Sequence, residues 1–359
     1  MTALHFRGVV LPDDEVRDLW LVGDRVTFAP VAGATTVSDG GFILPGLVDA
    51  HCHIGIAPGG APVVEIAQAR ELALIDRAAG VLALRDAGSP LAYPELDFDL
   101  DLPRLARAGR HVAPVKRYLR DIGVEVPAEG VAAEVATQAA AGNGWVKLVG
   151  DWLDRDAADL APAWDTATLA SAVASAHAAG ARITAHCFAE ESVATLVRAG
   201  IDCVEHGTGL ATDDIDEMAR RGTALVPTMI NIETFGGIAS RAAEKFPGYA
   251  KHMLALRDRF PSVVAQAHEA GVPIFVGSDA GGGIPHGQAA QEMLRLQAAG
   301  MSTLEVLAAA SWGAREWLRF PGLVEGGLAD LVVYPEDPRR DLRVVQAPAR
   351  IVLRGRIVV

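Results

Sequence analysis

From residue 80 onward the chain repeats one unit seven times: an alanine-rich, helix-like segment closes on a glycine and a β-like run follows. The runs follow Gly80 (residues 81–84), Gly109 (110–115), Gly144 (145–149), Gly180 (181–185), Gly200 (201–204), Gly222 (223–226) and Gly271 (272–276). Glycine tolerates the left-handed conformation that commonly ends a helix, so each is read as a helix-to-strand junction. Adding the run Phe42–Val48 gives eight strands. Eight strands alternating with helices, several apolar on both faces, predict an α/β fold of the (β/α)8 TIM-type barrel class over residues 41–324. A doubly wound open sheet is the rival, and no G-x-G-x-x-G follows the first strand.

The two ends break this rhythm. Residues 1–40 and 325–359 read as short strands separated by turns, among them Asp18–Val22, Arg25–Phe28, Ala329–Tyr334 and Ile351–Leu353. They are expected to pair into one small β-sandwich beside the barrel.

Composition excludes several roles. A net charge of −13 argues against nucleic acid or an anionic membrane surface as partner. No apolar run reaches the roughly 18 residues of a membrane span. The first residues carry Asp13, Asp14 and Glu15 where a signal peptide needs an apolar stretch. Three cysteines make no disulfide framework and suit a reducing compartment. The expectation is a cytoplasmic protein acting on a small molecule, with a homo-oligomer compatible with the sequence.

Six residues then stand out by position. His51 and His53 follow the first strand, Lys147 ends the fourth, His186 the fifth and His206 the sixth, and Asp279 follows the eighth. Lys147 is one of only four lysines among 32 basic residues and closes an apolar run. Active sites of such barrels lie at the C-terminal ends of the strands, so all six would meet at one mouth. Residues two apart on a strand face the same side, which lets His51 and His53 address one ion. Imidazole and carboxylate suit zinc and related divalent ions. Taken singly, a histidine is more often a core or surface residue, Asp279 could cap a helix, and Lys147 could be an ion-pair partner. Six such coincidences at one end of a barrel point instead to two divalent metals.

The chain resembles the amidohydrolase superfamily, in its binuclear branch with a carboxylated lysine. The matching text is Leu44-Pro45-Gly46-Leu47-Val48-Asp49-Ala50-His51-Cys52-His53, Leu84-Arg85-Asp86-Ala87-Gly88, Lys147, Thr184-Ala185-His186, Val204-Glu205-His206-Gly207-Thr208 and Gly277-Ser278-Asp279-Ala280-Gly281. Residues 326–333 look like the segment by which such chains return to their terminal sandwich. The order of motifs is most similar to the prolidase-like, metal-dependent dipeptidase and carboxypeptidase group, and also to imidazolonepropionase. The resemblance implies that His51, His53 and Asp279 bind the more buried metal and that His186 and His206 bind the second. A carbon dioxide-derived carbamate on Lys147 would bridge them. Zinc is the expected metal, with manganese, cobalt or iron compatible with the same ligands.

The expected reaction is hydrolysis of a carbon–nitrogen bond in an amide or peptide-like small molecule by a metal-bridging hydroxide, with Asp279 as general base. A mononuclear deaminase or imidazolone-type cyclic amide hydrolase, using His51, His53, His206 and Asp279, is the alternative. Loops after the strands nominate Tyr118 as a donor to a developing oxyanion, Arg120 as a clamp for a substrate carboxylate and His286 at the pocket edge. The stretch Val115–Gly123 lacks the glycine- and histidine-rich text expected of prolidase-like members. That leaves N-acyl amino acids, cyclic amides and aromatic amides beside peptides as substrates.

Overall fold

The computed structural model describes residues 3–359. Helix and strand alternate through its middle as the glycine-closed units predict. Helices Glu190–Ala199 and Thr212–Arg221 end on Gly200 and Gly222, whose φ values of 87° and 71° lie in the left-handed region. Elsewhere side chains set the boundaries. Asp165 accepts from the Thr168 amide at the start of helix Thr166–Ala178 (2.7 Å), and Ser302 and Glu305 form a reciprocal capping box on helix Thr303–Ala310.

The central strands are parallel and divide between two ladders. Leu47–Cys52, Val81–Asp86 and Arg104–Arg107 form one. The other runs in the order Ala224–Val226, Cys203–His206, Arg182–Cys187, Trp145–Val149, Val112–Pro114 and Val124–Val126. Single-residue bridges tie Ala108 to Trp145, Leu225 to Ile274 and Cys52 to Ala280. The sheet is therefore not one closed ladder of eight strands. The expected eighth strand, 272–276, contributes only the Ile274 bridge, although the Ala50 amide donates to the Val276 carbonyl (2.7 Å) and the Asp279 amide to that of His51 (2.7 Å).

The third strand differs from expectation as well. The segment paired with Val81–Asp86 is Arg104–Arg107, on the N-terminal side of Gly109. Gly109 is not a helix end: a Cβ there would lie 2.3 Å from Gln138 Oε1, so close packing explains this glycine. The run expected as strand three is shortened to Val112–Pro114 and pairs with Val124–Val126.

Segments from both ends of the chain join a single seven-stranded mixed sheet. Its strand Thr35–Pro45 continues past residue 40 and leads through Gly46 into Leu47–Cys52. Phe6, Leu19, Leu21, Ile43, Leu331 and Val352 form its buried face. Among the described residues no helix is long and apolar enough to cross a membrane.

Two-residue periodicity sorts the barrel-like interior into layers. Ala50, Ala83, Trp145, Cys203 and Phe275 pack as an apolar floor. Two residues further along their strands come Arg85, Lys147 and Glu205, all buried, and Thr184 lies beside Lys147 in register. The polar middle layer thus carries the charged groups that support the mouth.

Candidate metal centre

At the mouth, His51 and His53 leave the end of Leu47–Cys52. His51 is fully buried and His53 is 6% exposed. Asp49 fixes their backbone: it accepts from the His51 amide (3.1 Å) and the Ser278 amide (3.0 Å), tying this strand to the turn that carries Asp279. His53 Nδ1 donates to the Gly88 carbonyl (2.8 Å), and His51 Nδ1 lies 2.6 Å from Glu205 Oε2. A carbonyl only accepts, so His53 carries its proton on Nδ1 and presents a lone pair on Nε2. Glu205 favours the same tautomer in His51.

Those two Nε2 atoms lie 3.2 Å apart, and each is 3.1 Å from Asp279 Oδ1. Three lone-pair donors facing one another repel unless a cation sits among them. Zinc–imidazole bonds of about 2.0–2.1 Å place tetrahedral donors roughly 3.3 Å apart, so the spacing fits a metal ion. A proton is the competitor. Burial and Lys147 disfavour charge on His51, but Glu205 and Asp279 outweigh them and raise its pKa, so metal binding would release that proton.

A second histidine pair faces the first. His186 Nδ1 lies 2.9 Å from His206 Nε2, while His206 Nδ1 is held by Thr228 Oγ1 (2.7 Å). Burial, with neighbouring positive charge from Lys147, pulls the His186 pKa down to about 3. Burial and His186 hold His206 well below the usual range, so both rings are neutral donors. Lys147 is 1% exposed and makes no ion pair among the described residues. Burial lowers its pKa against the opposing pull of Glu205 and Asp279. Within mutual ligand distance of a single ion stand His51, His53 and Asp279, with the 186/206 pair alongside.

His206 and Asp279 reach these positions with φ of 65° and 56°. Each such non-glycine conformation costs on the order of 1–3 kcal/mol. It breaks strand alternation and lets Glu205 and His206, adjacent in sequence, both serve the interior. Burial alone would raise the Asp279 pKa, but the charge and hydrogen bonds of His51 and His53 hold its carboxyl well below the usual carboxylate range.

Further residues aim these ligands. Arg85 donates to Glu205 Oε1 (2.6 Å) and to the Ala50 carbonyl (2.6 Å), so Glu205 links Arg85 to His51. Asn231 Nδ2 donates to Asp279 Oδ2 (2.7 Å). Its short helix is held by Glu292, which accepts from the Met229 and Ile230 amides. His111, fully buried and without a partner on either ring nitrogen among the described residues, lies between His53 and Tyr118, with ring centroids 5.2 and 5.1 Å away. The Glu205–His206 dipeptide was a usable signal for Glu205; for His111 there was none.

Of the three substrate-contact candidates, Tyr118 stands at the cluster. Its ring meets Trp152 (4.9 Å) and His186 (6.1 Å), and burial together with Asp279 raises its pKa. Arg120 is exposed. His286 is buried and bonded through Nδ1 to Asp76 (2.7 Å), with Nε2 unpartnered among the described residues. Arg117 reaches back to the carbonyls of Trp152 (3.1 Å) and Ala161 (2.8 Å), fastening the hairpin 151–162 over the site.

The fold and the convergent donor set define a hydrolase with a candidate metal site formed by His51, His53 and Asp279. The model of the amidohydrolase family matches residues 147–358, and the chain belongs to that family. An uncharacterised protein of Mycobacterium tuberculosis is 52% identical over 354 residues, covering 98% of this chain and 95% of the relative. A Xaa-Pro dipeptidase crystallised with methionine in its active site superposes with a TM-score of 0.83 at 21% identity, covering 99% of both chains. Ochratoxinase of A. niger gives 0.81 at 19% identity, covering 99% of this chain and 95% of that one. The two structures share the fold.

Proposed function

We propose that the protein is a binuclear metal-dependent amidohydrolase cleaving a carbon–nitrogen bond in a small amide or peptide-like substrate. The convergence of His51 Nε2, His53 Nε2 and Asp279 Oδ1 within 3.2 Å carries the reading. His186 and His206 would hold a second ion, and Lys147 would bridge as a carbamate. A buried amine whose charged form is disfavoured is the form that adds carbon dioxide. Two divalent cations, zinc in the first instance, would supply Lewis-acid polarisation of the scissile carbonyl and a water of lowered pKa.

Asp279 then accepts a proton from the attacking water and passes it to the leaving nitrogen, with Asn231 holding its other oxygen. Tyr118 donates toward the oxygen on which charge develops. Arg120 and His286 remain candidates for binding the far end of the substrate. The catalytic unit spans residues 41–324, with residues 1–40 and 325–359 as the sandwich domain beside it. The Xaa-Pro dipeptidase structure, alike in fold, favours the peptide-like substrate.

The test is metal per chain by elemental mass spectrometry on protein expressed with zinc and bicarbonate. About two equivalents, falling in Lys147→Ala, would support the bridged pair. A single equivalent indifferent to Lys147→Ala would overturn it. That result would favour a mononuclear deaminase or imidazolone-type hydrolase, a reading to which the tight three-residue cluster lends support.

A further inference from the structure

At the opposite end of the interior, beneath the apolar floor, lies a separate pocket of about 260 Å³. It is lined by apolar Leu105, Trp145, Leu318 and Phe320 together with the cationic Arg182 and Arg319. The Arg182 guanidinium sits 4.1 Å from the centre of the Trp145 ring and 5.1 Å from that of Trp317. From the barrel interior Arg85 lies 4.7 and 5.2 Å from the same two rings.

The two cations on these rings are not equally compensated. Arg85 is matched by Glu205. Neither Arg182 nor Arg319 pairs with a carboxylate among the described residues. The acid beside Arg182, Asp202, is engaged by His177 (2.9 Å) and the Ile183 amide (2.8 Å). Burial and repulsion from Arg85 and Arg319 bring the Arg182 pKa down to about 10, the mark of a cationic pocket short of negative charge. Ring faces offset part of that deficit. An oxyanion would offset more, because guanidinium forks bind carboxylates through charge-assisted hydrogen bonds. Apolar walls beside the cations suit an organic body better than a bare inorganic ion.

We propose that this floor pocket binds a small organic carboxylate, its oxygens on Arg182 and Arg319 and its apolar body against Trp145 and Phe320. The site is distinct from the metal centre and does not depend on the reaction carried out there.

Calorimetric titration of the metal-loaded protein with benzoate, and with neutral benzamide as control, tests this. Saturable benzoate binding is expected, with benzamide silent. Arg182→Gln and Arg319→Glu should each weaken benzoate by at least about tenfold. Arg319 is exposed, so its variant reports even if Arg182→Gln fails to fold. Metal content is measured in each variant to show the metal centre unchanged. Absence of saturable benzoate binding, equal binding of benzamide, or undiminished affinity in Arg319→Glu, which would place the carboxylate at the metals, overturns the proposal.

Discussion

Glu205 Oε2 lies 2.6 Å from His51 Nδ1 while its Oε1 lies 2.6 Å from an Arg85 guanidinium nitrogen, so one buried carboxylate both aims a ligand ring and neutralises the interior arginine. Arg85 and His51 hold its pKa well below the usual carboxylate range against the opposing effect of burial. Removing such an outer-shell carboxylate costs about 10–100-fold in metal affinity. Glu205→Gln should show that loss in competition with a chelator while His186 and His206 are untouched. Unchanged affinity would mean that His51 needs no help to face the metal.

Lys147 invites the opposite trade. Its charged form is disfavoured by burial and it makes no ion pair among the described residues, so the metal-free protein holds it at a cost. Lys147→Met should raise the stability of chelator-treated protein by on the order of 1–2 kcal/mol and lower its metal content. Urea unfolding in EDTA measures the first and elemental analysis the second. A less stable metal-free variant would show the amine already well accommodated.

What the sequence made legible was the set of residues whose local text carries its own direction. His51, His186 and His206 each close an apolar run, and their strands place them at one mouth. Asp279 was legible as a residue beyond an eighth run and within the text Gly277–Gly281. That run makes no ladder, and a single Ile274 bridge is below what periodicity can announce. The third strand was misplaced because Arg104–Arg107 holds only two apolar residues between two arginines, whereas the more apolar text lies beyond Gly109. His111 could not be read because its place arises from packing between distant segments.

The hairpin over the site rests on Arg117, which bonds the Trp152 and Ala161 carbonyls and pairs with Asp154 (3.1 Å). Loss of these bonds should leave Trp152 free to move away from Tyr118 and His186. Arg117→Gln is expected to raise KM roughly five- to tenfold, about 1 kcal/mol, with a smaller change in kcat. An equal fall in kcat with KM constant would instead place Arg117 in transition-state stabilisation.

His286 gives a pH signature away from the metal centre. Burial alone would lower its pKa, but the bond to Asp76 and the charges of Asp76, Asp49 and Asp86 outweigh it and raise the value. A histidine whose folded pKa exceeds its unfolded value of about 6.5 adds stability that is complete below that pH and is lost as pH rises through the folded value. Stability should therefore decline as pH rises from about 6.5 to the folded value, by roughly 1.4 kcal/mol per pH unit across that interval. His286→Gln should remove that slope. A slope that survives the substitution would assign it to another group.

Asp330 joins the two parts of the fold and sets the last test. Its carboxylate accepts from Arg315 (2.8 Å) and Arg104 (2.5 Å) and from the Arg354 amide (2.9 Å), while its carbonyl accepts from the Gly46 amide (3.0 Å). Asp330 and Arg315 are fully buried, so neutralising one leaves the other without solvent. Breaking a buried pair in this way costs about 3–5 kcal/mol. Asp330→Asn should show that loss in urea unfolding at pH 7. The Arg315 and Arg104 charges hold the Asp330 pKa down against burial, so its contribution is present above the unfolded value near pH 4 and disappears as pH falls through the lower folded value. Wild type and Asp330→Asn should therefore converge in stability in strong acid. A gap that persists there would mean that Asp330 acts through shape and hydrogen bonding alone.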